Sequence, residues 1–205
     1  MKCPSNPAIN KSKDDAGMPY LLRSARFIAA EILEKAVAPG NTVIDATMGN
    51  GHDTLTLCRL VGEKGHVIAF DVQSAAVEST KKRLEEAGVL DRAQLHCMGH
   101  QHMAEVVSGP VDAVVFNLGW LPGGDKAVTT LLDTTKQAVH AALSLLRPLG
   151  ICLICCYPGH QEGDREREYL MDMLAKLAPQ QYNVLWHKFL NAGPGAPECF
   201  VIQRQ

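Results

Sequence analysis

The chain has 205 residues, of which 46% are hydrophobic and 20% charged, and its net charge at pH 7 is −2. This composition is typical of a single globular domain with a sizeable core. It excludes a strongly basic nucleic-acid-binding protein, although a local basic patch is still compatible with an RNA partner. No apolar run approaches the ~18 residues that a membrane-spanning helix needs, so we expect no membrane contact.

The cysteines indicate a reducing compartment. Seven of them are scattered along the chain, and an odd number of scattered cysteines is typical of free thiols that serve as small core residues. We therefore expect a cytoplasmic protein. The polar segment 1–17 has no apolar stretch of the kind found in secretion signals, and we predict a flexible lead-in before one domain over 18–205.

The spacing of apolar residues predicts helices that alternate with strands. Helices are expected over 20–37, 55–61, 74–88, 103–107, 128–146 and about 170–177, and strands over 42–46, 66–71, 94–97, 111–116, 151–157, 182–190 and 199–203. Ser74 is the expected N-cap of the third helix, and the charged run 162–168 reads as a solvated helix start. The last two strands have no helix between them and should be antiparallel. The fold class is therefore α/β, with a mostly parallel seven-stranded sheet, helices on both faces and an antiparallel C-terminal hairpin. Ligands of such folds bind at the carboxyl ends of the strands, so the loops there hold the candidate site.

The first such loop joins a short apolar strand to a helix through a turn that contains Gly49 and Gly51. Glycine permits a positive φ and a close approach of a ligand to the backbone, and the following helix start favours an anionic group. Thr54 takes the place of the third glycine of a dinucleotide-binding turn, which disfavours NAD. Asp71 ends the next strand, where an acidic residue accepts hydrogen bonds from a ribose diol. The pattern favours an adenosine-type ligand over an ordinary tight turn.

The loop after the fourth strand, 116–126, brings Asn117 to the same edge of the sheet. Its side-chain oxygen, with nearby backbone carbonyls, suits the hydrogen-bond donors of an amine. Trp120 offers a face on which a flat base can stack. The alternative is a flexible glycine-rich loop with Trp120 tucked into the core.

Three further features are less specific. His100 and Gln101 follow the third strand, as expected for residues at an adenine edge, while His102 is equally an exposed loop histidine. The spacing of these histidines matches no structural zinc site, and we predict no metal. His160 follows the fifth strand and is a proton acceptor, an orienting donor or a surface residue. The segment 191–197 is either a plain hairpin turn or a wall of a substrate pocket.

Four stretches together carry a resemblance. Residues 45–54 (DATMGNGHDT), 70–73 (FDVQ), 116–126 (FNLGWLPGGDK) and 157–160 (YPGH) resemble the putative rRNA methylase family, also called the YtqB-like family. The resemblance covers about residues 20–205, and the 116–126 stretch is its most specific part. It implies a Rossmann-like class I methyltransferase that uses S-adenosyl-L-methionine as its cofactor.

The resemblance also implies positions for the cofactor. Asp45 belongs to the same motif as the residues expected around the methionine part, which are Gly49, Asn50, Gly51 and Asp53. Asp71 would hold the ribose with Gln73 beside it, and Gly99, His100 and Gln101 would lie near the adenine. Asn117 and Leu118 lie where other amino-methylating enzymes carry an Asn-Pro-Pro-Tyr-type motif. Because Leu-Gly-Trp replaces Pro-Pro-Tyr here, the placement of the amine need not be identical.

The implied reaction is methylation of tRNA. Some members of the family methylate the 5-aminomethyl group of a wobble uridine, often 2-thiolated, to the methylaminomethyl form. We assign catalytic roles to Asn117, Asp125 and His160, and substrate contacts to Trp120, Lys126 and Asn191. Arg165 and Arg167 are candidates for tRNA phosphates. The implied partner is the anticodon region of tRNA, and a homodimer is left open. The alternatives are a methyltransferase of rRNA or of a small amine, and a non-catalytic nucleotide- or RNA-binding module.

Overall fold

The structure is a computed structural model that describes residues 24–121, 123–125 and 127–205. The predicted lead-in 1–17 and the candidate residue Lys126 lie outside the described residues. The helices are α1 (Ala25–Ala36), α2 (His52–Val61), α3 (Ser74–Glu86), α4 (Met103–Val106), α5 (Leu132–Leu145) and α6 (Gln161–Ala175). The strands are β1 (Thr42–Asp45), β2 (His66–Asp71), β3 (Ala93–Cys97), β4 (Val111–Asn117), β5 (Leu146–Cys156), β6 (Tyr182–His187) and β7 (Glu198–Arg204).

The seven strands form one sheet in the order β3-β2-β1-β4-β5-β7-β6. The first five pair in parallel, and β7 runs antiparallel to both of its neighbours. The predicted fold class, with its mostly parallel sheet and antiparallel C-terminal hairpin, is therefore confirmed. The amino end of β7 lies beside the carboxyl end of β5, since Cys199 is in register with Cys155. The 188–197 segment thus reaches the same edge as the loops after the parallel strands.

Helices cover both faces of the sheet, and alternate residues of β4 show how. Val114 and Phe116 join the core beneath α5 and α6, whereas Ala113 and Val115 join the core beneath α1 and α2. A strand that is buried on both faces needs apolar residues at every position, which explains the unbroken apolar runs 113–116 of β4 and 151–156 of β5. No helix within the described part of the chain is both long and apolar enough to cross a membrane.

Several element boundaries differ from the sequence prediction. The second helix begins at His52 instead of residue 55, and α5 begins only at Leu132 because Val128 and Leu131 lie exposed in the preceding loop. Ser74 is the first residue of α3 and not its cap, since Gln73 takes the cap position without a side-chain bond. The interpretation of 162–168 as a solvated run is wrong at Glu166, which is fully buried.

The described cysteines are free thiols, and most are core residues as predicted. Cys152, Cys155, Cys156 and Cys199 are buried on β5 and β7, and Cys58 is buried in α2. Burial raises the pKa of the Cys58 thiol to about 12 and raises those of Cys152 and Cys156 further. Cys97, at the end of β3, is exposed.

Candidate functional site

The turn between β1 and α2, residues 46–51, is called here the glycine turn. Gly51 has φ of 77° and lies directly before α2. A Cβ atom on Gly51 would lie 2.8 Å from Oγ1 and 2.9 Å from Cα of Thr80, so α3 leaves no room for a side chain. The Thr80 hydroxyl donates to the Gly49 carbonyl at 3.0 Å. The turn is therefore shaped by contacts with α3, and the first amide groups of α2 face this edge of the sheet.

Asp71 ties the glycine turn to the end of β2. Its Oδ2 accepts the Gly49 amide hydrogen at 3.0 Å, and its Oδ1 accepts that of Gln73 at 3.0 Å. Each carboxylate oxygen has a second acceptor site, so the side chain retains the capacity to bind a diol. Asp71 thus shapes the turn, and its role toward a ribose stays a prediction.

Asp45 lies beneath the glycine turn and is fully buried. Its Oδ2 accepts the Thr54 hydroxyl at 2.7 Å, and its Oδ1 accepts the Thr47 amide at 3.2 Å. Burial, together with the nearby Asp53 carboxylate, raises its pKa to about 7. A glycine at position 54 would have no hydroxyl to donate to Asp45. This hydrogen bond therefore accounts for the threonine that replaces the third glycine.

Asn117 ends β4 and faces the start of α2. Its Nδ2 donates to Asp53 Oδ2 at 2.7 Å, and its backbone amide donates to the Thr47 hydroxyl at 2.7 Å. Because an ionised carboxylate only accepts hydrogen bonds, the amide nitrogen of Asn117 must face Asp53. Asp53 and Asn117 also line a cavity of about 40 Å³ that reaches Arg26 on α1. Asp53 is thus in contact with Asn117, a pairing that the sequence did not predict.

His100 is buried at the end of β3, next to the sheet. Its ring meets the Phe116 ring edge-on at 5.7 Å, and burial lowers its pKa to about 4 against an opposing hydrogen bond with the Ala46 backbone. The imidazole is therefore neutral. Gln101 folds back over Gly99, where a Cβ would lie 2.1 Å from its Oε1. His102 faces outward and pairs with Glu105 at 2.7 Å.

The β4–α5 loop, residues 118–131, lies over the glycine turn. A Cβ on Gly49 would lie 3.3 Å from Cδ1 of Leu121, so the two predicted halves of the site are in contact. Trp120 is partly exposed and is not tucked into the core; its ring lies 4.8 Å from the ring of His160. Asp125 is exposed, and its Oδ1 accepts the Ala127 amide at 2.9 Å. The structure thus joins Trp120 to His160, whereas Asp125 lies in the exposed part of the loop.

His160 is the N-cap of α6. Its Nδ1 accepts the Gly163 amide at 3.3 Å, so in the neutral ring the hydrogen lies on Nε2. Nε2 is buried and has no hydrogen-bond partner among the described residues. This arrangement suits an orienting donor better than a proton acceptor.

The 191–197 segment packs against the loop after β5. A Cβ on Gly195 would lie 3.1 Å from the Pro158 carbonyl oxygen, and one on Gly159 would lie 2.9 Å from Cα of Gly195. The segment is therefore in close contact with the loop that carries His160. Asn191 itself is exposed at the far end of this segment.

The two predicted phosphate-binding arginines have partners on their own helix. Arg165 pairs with Glu162 at 2.5 Å, and Arg167 lies 3.9 Å from Glu168 while also donating to the sulfur of Met171. A phosphate would therefore replace these contacts.

Glu166 is a buried carboxylate beneath the β4–α5 loop that the sequence did not predict. It lies on the inner face of α6 and bonds to two threonines, Thr130 at 3.0 Å and Thr135 at 2.5 Å. A signal was present, because Glu166 is four residues before the buried Leu170 and therefore shares its helix face.

The described residues outside the carboxyl edge of the sheet hold none of the predicted site residues and no metal-binding cluster. No group of three or more His, Cys, Asp or Glu side chains there is arranged to hold a metal ion. An open cavity of about 410 Å³ lies between residues 107–110 and 144–148, at the opposite edge of the sheet, and its lining contains none of the predicted site residues. The carboxyl edge therefore remains the candidate site.

Comparison with known proteins connects this edge to methyltransferases. The family model described as "Putative rRNA methylase" matches residues 67–203. The chain is 40% identical over 204 residues to the chloroplastic tRNA (mnm(5)s(2)U34)-methyltransferase of Arabidopsis thaliana, an alignment that covers 94% of this chain and 74% of the relative.

Two similar solved structures agree with this relationship. A putative rRNA-methylase from Clostridium thermocellum superposes with a TM-score of 0.88 at 35% identity, covering 91% of this chain and 100% of the other. A putative methyltransferase from Streptococcus mutans in complex with SAH superposes with a TM-score of 0.82 at 31% identity, covering 90% and 100%. The fold is thus that of the class I methyltransferases, and the chain belongs to the family described as "Putative rRNA methylase".

Proposed function

We propose that the chain is an S-adenosylmethionine-dependent N-methyltransferase of tRNA. It converts 5-aminomethyl-uridine at the wobble position, with or without sulfur at position 2, to the 5-methylaminomethyl form. The observation that carries the proposal is the Asn117 amide, whose nitrogen is held by Asp53 so that its oxygen is left for an amine beside the glycine turn. The name of the Arabidopsis relative supports a tRNA wobble uridine as the bearer of that amine.

The residues around the glycine turn fit the cofactor. The turn has no room for a side chain at Gly51, the first amides of α2 suit a carboxylate, and Asp71 suits a ribose diol. We assign Gly49, Asn50, Gly51 and Asp53 to the methionine side with Asp45 as their support, Asp71 and Gln73 to the ribose, and Gly99, His100 and Gln101 to the adenine side. Asn117 and Leu118 are assigned to the place where cofactor and amine meet. When bound, S-adenosylmethionine supplies a sulfonium methyl group that is already activated for transfer to a nucleophile.

The protein's own contribution is chiefly the orientation of the amine. Correct placement of two reactants alone supplies ~7–11 kcal/mol. The amine must be neutral, because an ammonium group has no lone pair to donate. The Asn117 side-chain oxygen and the Leu118 carbonyl would accept hydrogen bonds from its two N–H groups and so direct the lone pair toward the methyl group.

The proton that the amine loses has one candidate acceptor among the residues that the structure describes. Asp125 is exposed, so its carboxylate can accept a proton and pass it to solvent. His160 uses Nδ1 to accept from Gly163, and we assign it the role of an orienting donor through Nε2. Both residues remain predicted catalytic residues.

The tRNA would reach the site over the β4–α5 loop. Trp120 offers a partly exposed ring that can stack on the target uridine or on its neighbour. Lys126, Asn191, Arg165 and Arg167 remain predicted contacts to the RNA. The anticodon region as the docking site, a homodimer and a cytoplasmic location also remain predictions.

Incubation of the purified protein with S-adenosylmethionine and tRNA tests the function. The tRNA is taken from cells that lack the enzyme, then digested, and its nucleosides are measured by mass spectrometry. We expect 5-methylaminomethyl-uridine to appear at the expense of the aminomethyl form. An unchanged nucleoside profile, with a protein that binds S-adenosylmethionine, would overturn the tRNA assignment.

The rival substrate is rRNA, which the family description names. The same incubation with rRNA in place of tRNA separates the two substrates, because methyl transfer to rRNA alone would support the rival. A titration with S-adenosylmethionine addresses the non-catalytic alternative, since failure to bind the sulfonium compound would exclude an enzyme of this class.

A further inference from the structure

Glu166 is a buried carboxylate that is connected to the β4–α5 loop. It is fully buried on α6, on the same face as Gly163, Leu170 and Leu174. A buried carboxylate is costly unless its oxygens accept hydrogen bonds. Burial raises the pKa of Glu166, which shows the cost, and bonds from Thr135 and Thr130 oppose this shift. An apolar residue at this buried position would avoid the cost of burying a carboxylate, so the carboxylate of Glu166 needs an explanation.

The two carboxylate oxygens of Glu166 have separate partners. Oε1 accepts the hydroxyl of Thr135, a buried residue of α5, at 2.5 Å. Oε2 accepts the hydroxyl of Thr130, near the end of the β4–α5 loop, at 3.0 Å. The carboxylate thus joins α6, α5 and the loop at one point.

Thr130 passes this connection on to the start of the loop. Its Oγ1 accepts the Gly119 amide at 2.8 Å, and its own amide donates to the Gly119 carbonyl at 3.0 Å. Trp120 and Thr129 continue the pairing as an antiparallel bridge. Gly119 and Trp120, which follow Asn117 closely, are therefore paired with the end of the loop. Glu166 stabilises that pairing through its hydrogen bond with Thr130.

The direction of these bonds explains why the residue is an acid. The Thr130 hydroxyl has one hydrogen, which it gives to Glu166, and its oxygen accepts from the Gly119 amide. A carboxylate imposes this direction, since both of its oxygens accept. A glutamine would present an NH₂ group to one of the two threonines, so the bond to that threonine would have to reverse its direction and its hydroxyl hydrogen would need another acceptor.

We propose that Glu166 is a positioning residue for methyl transfer, which acts through Thr130 and Gly119 to hold Asn117, Leu118 and Trp120 in their working geometry. The inference rests on the proposed function, in which Asn117 and Leu118 orient the amine. It adds a determinant that touches neither reactant.

Two matched sets of variants test the proposal. Glu166→Gln keeps the shape and removes the acceptor pattern, and Thr130→Val removes the hydroxyl while Thr130→Ser keeps it. Glu168→Gln is the control, because it removes the same charge from the same helix. The side chain of Glu168 is 71% exposed. Glu166→Gln and Thr130→Val should lower kcat for aminomethyl-uridine tRNA ~10- to 100-fold, the size expected for misplaced reactants, with the Kd of S-adenosylmethionine unchanged. Thr130→Ser and Glu168→Gln should keep the wild-type kcat.

A second readout does not depend on activity. The chain has two tryptophans, so Trp186→Phe leaves Trp120 as the sole tryptophan reporter of the loop. In this background Glu166→Gln and Thr130→Val should increase acrylamide quenching of Trp120 fluorescence, while Thr130→Ser and Glu168→Gln should not. Melting temperatures identify any variant that fails to fold. If either Glu166→Gln or Thr130→Val does not fold, the quenching and kcat of the other variant test the proposal.

The outcomes separate this inference from the function on which it rests. Wild-type kcat and wild-type quenching in both Glu166→Gln and Thr130→Val would overturn the positioning role. Altered quenching with a wild-type protein that methylates no aminomethyl-uridine would overturn the proposed substrate and leave the loop support standing. Loss of kcat in Glu168→Gln equal to that in Glu166→Gln would also overturn the proposal, because charge alone would then be responsible.

Discussion

The carboxylate of Asp53 lies 2.7 Å from the side-chain nitrogen of Asn117, although 64 positions separate the two residues in the chain. This contact determines which end of the Asn117 amide faces the site. An asparagine that is free to turn would present its nitrogen as readily as its oxygen. The acidic residue in the first turn of α2 is thus linked to the residue that we propose to orient the amine.

Replacement of Asp53 by asparagine should remove this preference. The variant keeps the size of the side chain but can also donate, so the Asn117 amide is no longer held in one orientation. We expect kcat for tRNA methylation to fall ~10- to 100-fold, with a smaller change in the Kd of S-adenosylmethionine measured by calorimetry. Glu78→Gln, an exposed change on α3, is the charge control. A loss of cofactor affinity as large as the loss of kcat/KM would show that the place of Asp53 on the methionine side, and not its bond to Asn117, is responsible.

Alanine at position 51 should damage the glycine turn. Its Cβ would lie 2.8 Å from the Thr80 hydroxyl and 2.9 Å from Thr80 Cα, and the residue would keep φ near 77°. We expect a loss of ~1–3 kcal/mol in the free energy of unfolding and weaker binding of S-adenosylmethionine. Gly88→Ala is the matched control, because Gly88 has φ of 67° and open space around it. Equal losses in the two variants would mean that backbone strain and not the Thr80 contact is responsible.

The buried His100 should make the folded state sensitive to acid. Its pKa is lowered to about 4 by burial, from an ordinary value near 6.5. Between these two values the unfolded chain binds a proton that the folded chain does not, so stability is lost as the pH falls from about 6.5 to about 4. The full contribution is about 3 kcal/mol and is present above pH 6.5.

Urea unfolding of the wild type and of His100→Asn, measured from pH 7 to pH 4, tests this. As the pH falls, the wild type should lose more unfolding free energy than the variant does. The comparison cancels the opposite effect of Asp45, whose raised pKa favours the folded state at lower pH. A difference that stays constant over this range would contradict the assignment.

Trp120 should contribute to RNA binding. Its ring is partly exposed beside His160, and stacking of an aromatic ring on a base contributes ~1–3 kcal/mol. We expect Trp120→Ala to raise the KM for tRNA, whereas Trp120→Phe should keep most of the affinity. Trp186→Phe, on the edge strand β6, is the control. An unchanged KM in Trp120→Ala would show that the ring supports His160 and does not contact RNA.

The fold could be predicted because its signals are local. Apolar runs on β4 and β5, turns at glycine and proline, and amphipathic helices each depend on neighbouring residues, and the residue types at strand ends pointed to Gly49, Gly51, Asp71 and Asn117. The helix ends were less predictable, because the apolar spacing continues through Val128 and Leu131 although both lie in an exposed loop.

The partnerships within the site could not be predicted in the same way. The Asp45–Thr54 bond explains a departure from the three-glycine pattern that looked like a simple loss. Glu166 was concealed in a charged run, and its two threonine partners lie 31 and 36 positions away. Such pairs depend on how the helices pack, which residue type and spacing alone do not specify.

The distribution of thiols provides a practical route to the site. Cys97 is the exposed member of the described cysteines, and its sulfur lies 3.9 Å from the Val72 carbonyl, one residue after Asp71. The buried Cys58, Cys152 and Cys156 have raised pKa values and are therefore poor nucleophiles. A maleimide dye should therefore attach at Cys97 in preference to them, and its emission would follow cofactor binding at the ribose position in real time without a radioactive methyl donor.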